Sequence, residues 1–241
     1  MFERKTKMSV TLTHWTGSLY PAFIAARVCY SKGGFKGIKP LETEEAMGIW
    51  LRDKVLSRGH MSIVEQLDFQ FIISGISRAC SHQLVRHRIA SYAQQSQRYV
   101  DKADFKYVTP HIIEDSARAD EKYTQIMELL GEKYEELQAI LREEYPDLNS
   151  ESINQDARFI LPNACETEIT MKVNGRELIE MCKHRLCSRA QWEIREMFDL
   201  IRKEVQREVP IIFDNLGPTC RWQKCKEGGC KIMELPSEGW K

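Results

Sequence analysis

Apolar and polar positions along the chain alternate between two periods, one of strands and one of amphipathic helices. Val10-Thr11-Leu12-Thr13 alternates and predicts a short strand. Tyr20 to Tyr30 predicts a helix with Pro21 in its first turn, where a missing N–H costs little. Ser31 to Gly37 predicts a flexible loop; no Lys-Ser/Thr ending follows, so it does not complete a phosphate-binding glycine loop. Glu42 to Ser57 sets Met47, Trp50, Leu51 and Leu56 roughly on one face, and Gly59 ends that helix. Leu67 to Ile73 alternates as a half-buried strand should. Ser77 to Arg86 returns to helical spacing. The longest amphipathic stretch runs from Ala119 to Tyr145, with Tyr123, Ile126, Met127, Leu130, Tyr134, Leu137 and Leu141 recurring at three and four, until Pro146 stops it. Ser152 to Gln155 has capping-box spacing and predicts the start of a short helix that contains Arg158 and ends before Pro162. Thr167 to Val173 alternates as a strand, and Asn174 with Glu177 predicts the next helix start. A last helix follows Ala190, with Ile194, Met197, Phe198, Ile201 and Val205 on its apolar face. Loops are short except near residues 31–40 and 101–118. The order implies one α/β (α+β) domain.

Composition narrows the function classes. The 241 residues can bury a substantial core. The 35 basic and 35 acidic residues cancel, which argues against a general binder of nucleic acid or of a membrane surface; an anion site must be local. No stretch is apolar for long enough to span a bilayer, and Met1 to Lys5 lacks an apolar signal core, so a cytoplasmic protein is expected. In a reducing compartment the eight cysteines are thiols or metal ligands rather than disulfides.

One stretch departs from that balance. Between Asp68 and Asp101 there is no carboxylate, while Arg78, His82, Arg86, His87, Arg88 and Arg98 all fall there. Guanidinium groups bind phosphate oxygens bidentately and stay charged. Ser91, Gln94, Gln95, Ser96 and Gln97 add neutral donors and acceptors that could orient a nucleotide. The competing reading is a solvated basic loop. Ser96 has no local general base, so an orienting role suits it better than a nucleophilic one.

Arg86-His87-Arg88, seven residues, then Ser96, followed by Arg98-Tyr99, resembles the signature of flavin-dependent thymidylate synthases. Ser91 also fits; Ala93 and Gln94 depart from it, standing where the family often has Asn and an acidic residue. The resemblance implies a small antiparallel-rich sheet flanked by long helices, assembled as a homotetramer with FAD sites shared between subunits. It implies a catalytic domain over residues 1–216 and a cysteine-rich tail over residues 217–241. The implied reaction converts dUMP to dTMP, with 5,10-methylenetetrahydrofolate as carbon donor and NADPH as reductant through bound FAD. Arg185, before Ala190-Gln191-Trp192-Glu193, matches the arginine that polarises the uracil. FAD would be held by Ser62, Glu65, Arg86, His87, Arg88, Gln94, Asn174, Arg176 and Glu180. The nucleotide would be held by Gln83, Arg86, Gln94, Gln95, Ser96, Gln97, Arg98, Arg158 and Arg185. No cysteine follows a proline, in agreement with a route that needs no thiolate adduct.

The tail adds a separate possibility. Cys220, Cys225 and Cys230 are evenly spaced and, with Cys187, Cys182 or Cys165, could supply four thiolates to zinc, although the spacing is not that of a usual zinc knuckle. Two other classes compete with the enzyme: a nucleotide- or RNA-binding module using the basic stretch with Tyr92 and Tyr99 for stacking, and a zinc-dependent interaction protein.

Overall fold

The computed structural model describes residues 6–225 and residue 230. In chain order the elements are β1 (Ser9–Trp15), α1 (Tyr20–Val28), α2 (Glu44–Lys54), β2 (Asp68–Ser77), α3 (Arg78–Leu84), β3 (Ala90–Gln94), α4 (His111–Glu114), α5 (Ala117–Glu144), α6 (Ser150–Ala157), β4 (Glu166–Asn174), α7 (Gly175–Arg185), α8 (Trp192–Glu208) and α9 (Pro210–Phe213). Short 3-10 turns connect several of them. The four strands form an antiparallel sheet in the order β1-β2-β4-β3, so the mixed α/β class and the small antiparallel sheet hold. No helix among the described residues is long and apolar enough to cross a membrane.

The described residues fall into two compact units. One draws on Met1–Met8, Ile73–Leu84 and Ala93–Ile169, and the other on Ser9–Ile72, Val85–Tyr92 and Thr170–Lys241. We call them the α5 unit and the α7 unit after their principal helices.

In the α5 unit, α5 packs on α4 and α6. Its core holds Phe105, Tyr107, Met127 and Cys165, with Tyr123, Leu130, Leu161 and Ala164 around them. Gly75 is required here: its φ is +72°, and a Cβ would lie 2.2 Å from the Lys7 carbonyl oxygen. In the α7 unit, α8 packs against β1, and α1 and α7 both pack on the 3-10 turn Met61–Gln66. Leu51, Phe69, Leu178, Met197, Phe198 and Phe213 are fully buried, with Phe69 edge-on to Phe213 at 5.2 Å.

Several boundaries differ from the sequence reading for local reasons. The basic stretch is not wholly a loop, because Ala90–Gln94 joins the sheet as β3. Its alternation of Tyr92 and Gln94 against small residues is a weak strand signal. The helix after residue 146 starts at Ser150, not Ser152: Asn149 is the cap, accepting from the Ser152 amide at 2.9 Å. Arg158 lies past the end of that helix, in the turn Arg158–Ile160. Asn174 does cap α7, accepting from the Glu177 amide at 2.9 Å. Gly59 ends its segment with φ +78°.

Candidate active site

The α7 unit gathers most of the residues expected to hold flavin, from three parts of the sequence; Gln94 falls in the α5 unit instead. The gathering depends on Gly175. Its amide donates to the Leu67 carbonyl at 2.7 Å, and a Cβ there would meet Val64 Cγ1 at 2.7 Å and Val64 O at 2.8 Å. With no side chain, the start of α7 lies directly on the turn that carries Ser62 and Glu65. Arg176 then donates to Glu65 at 2.6 Å, which joins two of the expected segments.

Further along α7, Arg185 Nε donates to His87 Nε2 at 2.9 Å. That contact needs an acceptor at Nε2, so the proton of a neutral His87 sits on Nδ1, which faces Glu177 at 3.7 Å. Burial first, then the charges of Arg185 and His184, hold His87 down at about 4. His87 is therefore neutral near pH 7 and does not belong to the positive field read from the sequence. Tyr92 donates its hydroxyl to the His87 carbonyl at 3.0 Å, and burial raises its phenol well above the usual range. Burial also raises the Glu177 carboxyl, with Glu180 adding repulsion. Glu180 itself accepts from Lys183 at 2.7 Å.

Two cavities of this unit lie beside these residues. Arg88, Ser91, Lys172 and Asn174 line one of about 280 Å³, where Lys172 also meets Asp68 at 3.1 Å. The other, about 440 Å³, is lined by Arg27, Tyr30, Trp50, Lys54, Arg58, His60 and Ser62, with no carboxylate among the described residues of its wall. Cations, hydroxyls and an indole ring together match the needs of a phosphate-bearing aromatic cofactor such as FAD. Arg86 is exposed in the same unit.

The α5 unit gathers most of the residues expected to hold the nucleotide; Arg86 and Arg185 fall in the α7 unit instead. Gln94 donates from one amide nitrogen to Ser81 Oγ at 2.8 Å and to Thr167 Oγ1 at 3.0 Å. The departure at this position is thus built into the sheet by two hydroxyl partners. Gln95 accepts from Lys102 at 2.6 Å, and its amide donates to the Glu168 carbonyl at 2.9 Å. Ser96 Oγ accepts from the Arg98 amide at 3.1 Å, an orienting contact. Gln97 approaches the Cys165 sulfur at 3.8 Å. Arg98 is bound to Glu151, and its Nε is buried with no partner among the described residues. Arg158 Nε donates to the Gln155 carbonyl at 3.2 Å. Burial lowers Arg78, with Arg158 repelling it, so two guanidinium groups share this neighbourhood. Gln83 is half-buried at the end of α3.

Sequence reading missed the groups that hold Arg98 in place. Gln138 and Asn154 are 2% and 3% exposed. Gln138 donates to Asn154 Oδ1 at 2.6 Å, and Asn154 donates to the Arg98 carbonyl at 3.1 Å. Gln138 sits four residues after Tyr134 on the buried stripe of α5, and an amide in an apolar stripe is a readable signal of a buried polar pair.

A family model described as thymidylate synthase complementing protein matches residues 11–211. Among curated relatives, a flavin-dependent thymidylate synthase of Geobacter sulfurreducens is 42% identical over 206 residues, 86% of this chain and 85% of that protein. One of Pyrococcus horikoshii is 44% identical over 214 residues, covering 87% of this chain and 82% of the relative. One of Clostridium tetani is 38% identical over 211 residues, covering 85% and 84%. The chain belongs to the flavin-dependent thymidylate synthase family and is an enzyme.

Proposed function

We propose that this enzyme makes dTMP from dUMP with 5,10-methylenetetrahydrofolate as carbon donor and NADPH as reductant. The observation that carries the reading is the meeting of three sequence-distant segments, around residues 62–65, 87–88 and 174–185, in one compact unit. The relatives' names and the basic signature support the same chemistry.

Ser62, Glu65, Arg86, His87, Arg88, Gln94, Asn174, Arg176 and Glu180 hold FAD. The cations and hydroxyls fit its pyrophosphate and ribose; Glu65 fixes Arg176, and Glu180 fixes Lys183. FAD, when bound, carries the reducing equivalents delivered by NADPH. Gln83, Arg86, Gln94, Gln95, Ser96, Gln97, Arg98 and Arg158 hold dUMP, with the arginines on its phosphate and the amides on its base. Arg185 is the catalytic residue. Its guanidinium stabilises negative charge developing on the uracil ring, which raises electron density at the carbon to be methylated. Neutral His87 suits this role, because an imidazolium at 2.9 Å would repel Arg185 and displace it.

The enzyme acts as a cytoplasmic homotetramer with FAD sites shared between subunits. Support comes from its thiols, none of which is in a disulfide, and from α5, where Ile126, Leu129 and Ile140 form an exposed stripe that a second copy would cover. Residues 1–216 act as the catalytic domain and residues 217–241 as an appended tail.

The test is Arg185→Ala. The purified variant should keep the visible flavin band while methylation falls by about a hundredfold or more. Parental activity at saturating substrates removes Arg185 from the mechanism. A colourless parent protein that also refuses added FAD removes the whole reading in favour of a binding module.

A further inference from the structure

A cysteine cluster joins Cys187, two residues past α7, to three cysteines of the tail and plays no part in the reaction above. The family match ends at residue 211, and three of the four cysteines lie beyond it. Cys187, Cys220, Cys225 and Cys230 all line one cavity of about 510 Å³. They are thiols, with no disulfide among the described residues.

The tail is fixed to α7 where it enters the cluster. The Thr219 hydroxyl donates to the Lys183 carbonyl at 3.2 Å, and the Trp222 ring takes the Lys183 ammonium at 4.8 Å. Among the described residues no three His, Cys, Asp or Glu side chains already stand in ligating positions. Cys230 Sγ instead lies 2.9 Å from Ser188 Oγ. The thiols surround a common space without closing it.

We propose that Cys187, Cys220, Cys225 and Cys230 bind one zinc ion as four thiolates and that the metal draws the tail onto the end of α7. Zinc takes four sulfurs tetrahedrally at about 2.3 Å, and this cavity offers four from two chain segments. Binding converts four thiols to four thiolates and releases four protons, leaving a site of net charge −2. Lys183, Arg185, Arg189 and Lys224 line the same cavity and offset that charge. No redox step is involved. Cys187 follows Arg185 by two residues, so the metal would also brace the chain that carries the catalytic arginine.

Full-length protein, purified without chelator under reducing conditions, should contain about one zinc per chain by elemental analysis. Titration of metal-stripped protein with cobalt(II) should give the charge-transfer and visible bands of a tetrahedral thiolate site, saturating at one equivalent. Cys225→Ser combined with Cys230→Ser should lose both signals. These positions lie outside the family match, so retained flavin absorbance shows that the variant is folded. A parent with no stoichiometric zinc and no cobalt–thiolate bands overturns the proposal, as does a folded double variant that keeps its metal. Because the readout is metal content, it stands apart from any result on methylation.

Discussion

The two units bring distant residues together by different means. In the α7 unit a backbone is pressed against a backbone: Gly175 lets α7 start on the turn holding Ser62 and Glu65, and ion pairs follow from that closeness. In the α5 unit a buried amide pair does the joining. Gln138 on one helix donates to Asn154 on another, which donates to the carbonyl of Arg98. Close backbone contact fixes position through sterics and tolerates no added atom. An amide relay fixes position through hydrogen bonds that fail one at a time. The contrast predicts abrupt damage in one unit and graded damage in the other.

Substitution of glycine gives the largest expected effects. Gly75→Ala combines a left-handed backbone with a Cβ at 2.2 Å from a backbone oxygen, and should cost about 4 kcal/mol or prevent folding. Gly175→Ala meets both a backbone oxygen and a movable Val64 methyl, and should cost about 2–3 kcal/mol. Urea unfolding measures both. The second variant should also lose flavin affinity, because α7 is pushed off the 61–66 turn. A Gly175→Ala protein with parental stability and flavin content would break the account of how the residues of the α7 unit are gathered.

Next in size is a pH effect confined to the α7 unit. The ordinary His pKa is 6.5, and His87 is held at about 4 in the fold. Between those values the unfolded chain binds a proton that the folded chain refuses. Stability from this group is complete above about 6.5 and is lost as pH falls toward 4, by about 2–3 kcal/mol in all. Glu177, whose folded pKa is raised, acts in the opposite direction, so the comparison must be made against a variant. Urea midpoints from pH 7 to pH 4 should fall less steeply for His87→Gln, by about one proton. Parallel curves would mean that His87 does not carry the effect.

Much of this was legible beforehand, for identifiable reasons. Long periodic segments such as α5 and α8 announce themselves because one face must be buried over many turns. Asn174 was readable as a cap because its role is local. The basic signature was readable as chemistry but not as charge. The sequence between Asp68 and Asp101 shows no carboxylate, yet Glu151 binds Arg98 and Glu177 faces His87 from elements far along the chain. Counter-charge is a tertiary property. Neutral His87 was hidden for the same reason, since burial and Arg185 set its proton. The start of α6 was misplaced because Asn149 and Ser152 are both good caps, and the choice rests on backbone geometry.

The relay in the α5 unit predicts smaller, separable losses. Asn154→Ala removes the donor to the Arg98 carbonyl and leaves the Gln138 amide only its longer contact with Asp101 Oδ1 at 3.4 Å, at a cost of about 1–2 kcal/mol. The flavin spectrum should be unchanged while the KM for dUMP rises several-fold. Gln138→Leu should do the same, and the double variant should cost less than the two singles added, because both break one network. Full additivity would mean that the two amides act independently.

The smallest effect sharpens the comparison most. Arg98 is held by Glu151, and a nucleotide phosphate would have to compete for it. The pair is partly exposed, so its contribution to stability is below about 1 kcal/mol. Glu151→Gln removes the charge and keeps the shape. It should leave the urea midpoint nearly fixed and lower the KM for dUMP about two- to fivefold, which is about 0.4–1 kcal/mol of competition removed. A KM that rises instead would assign Glu151 to the orientation of Arg98 rather than to restraint. The α5 unit would then be preorganised by its carboxylate as the α7 unit is by Glu65, and the distinction between the units would rest on the glycine and the buried amides alone.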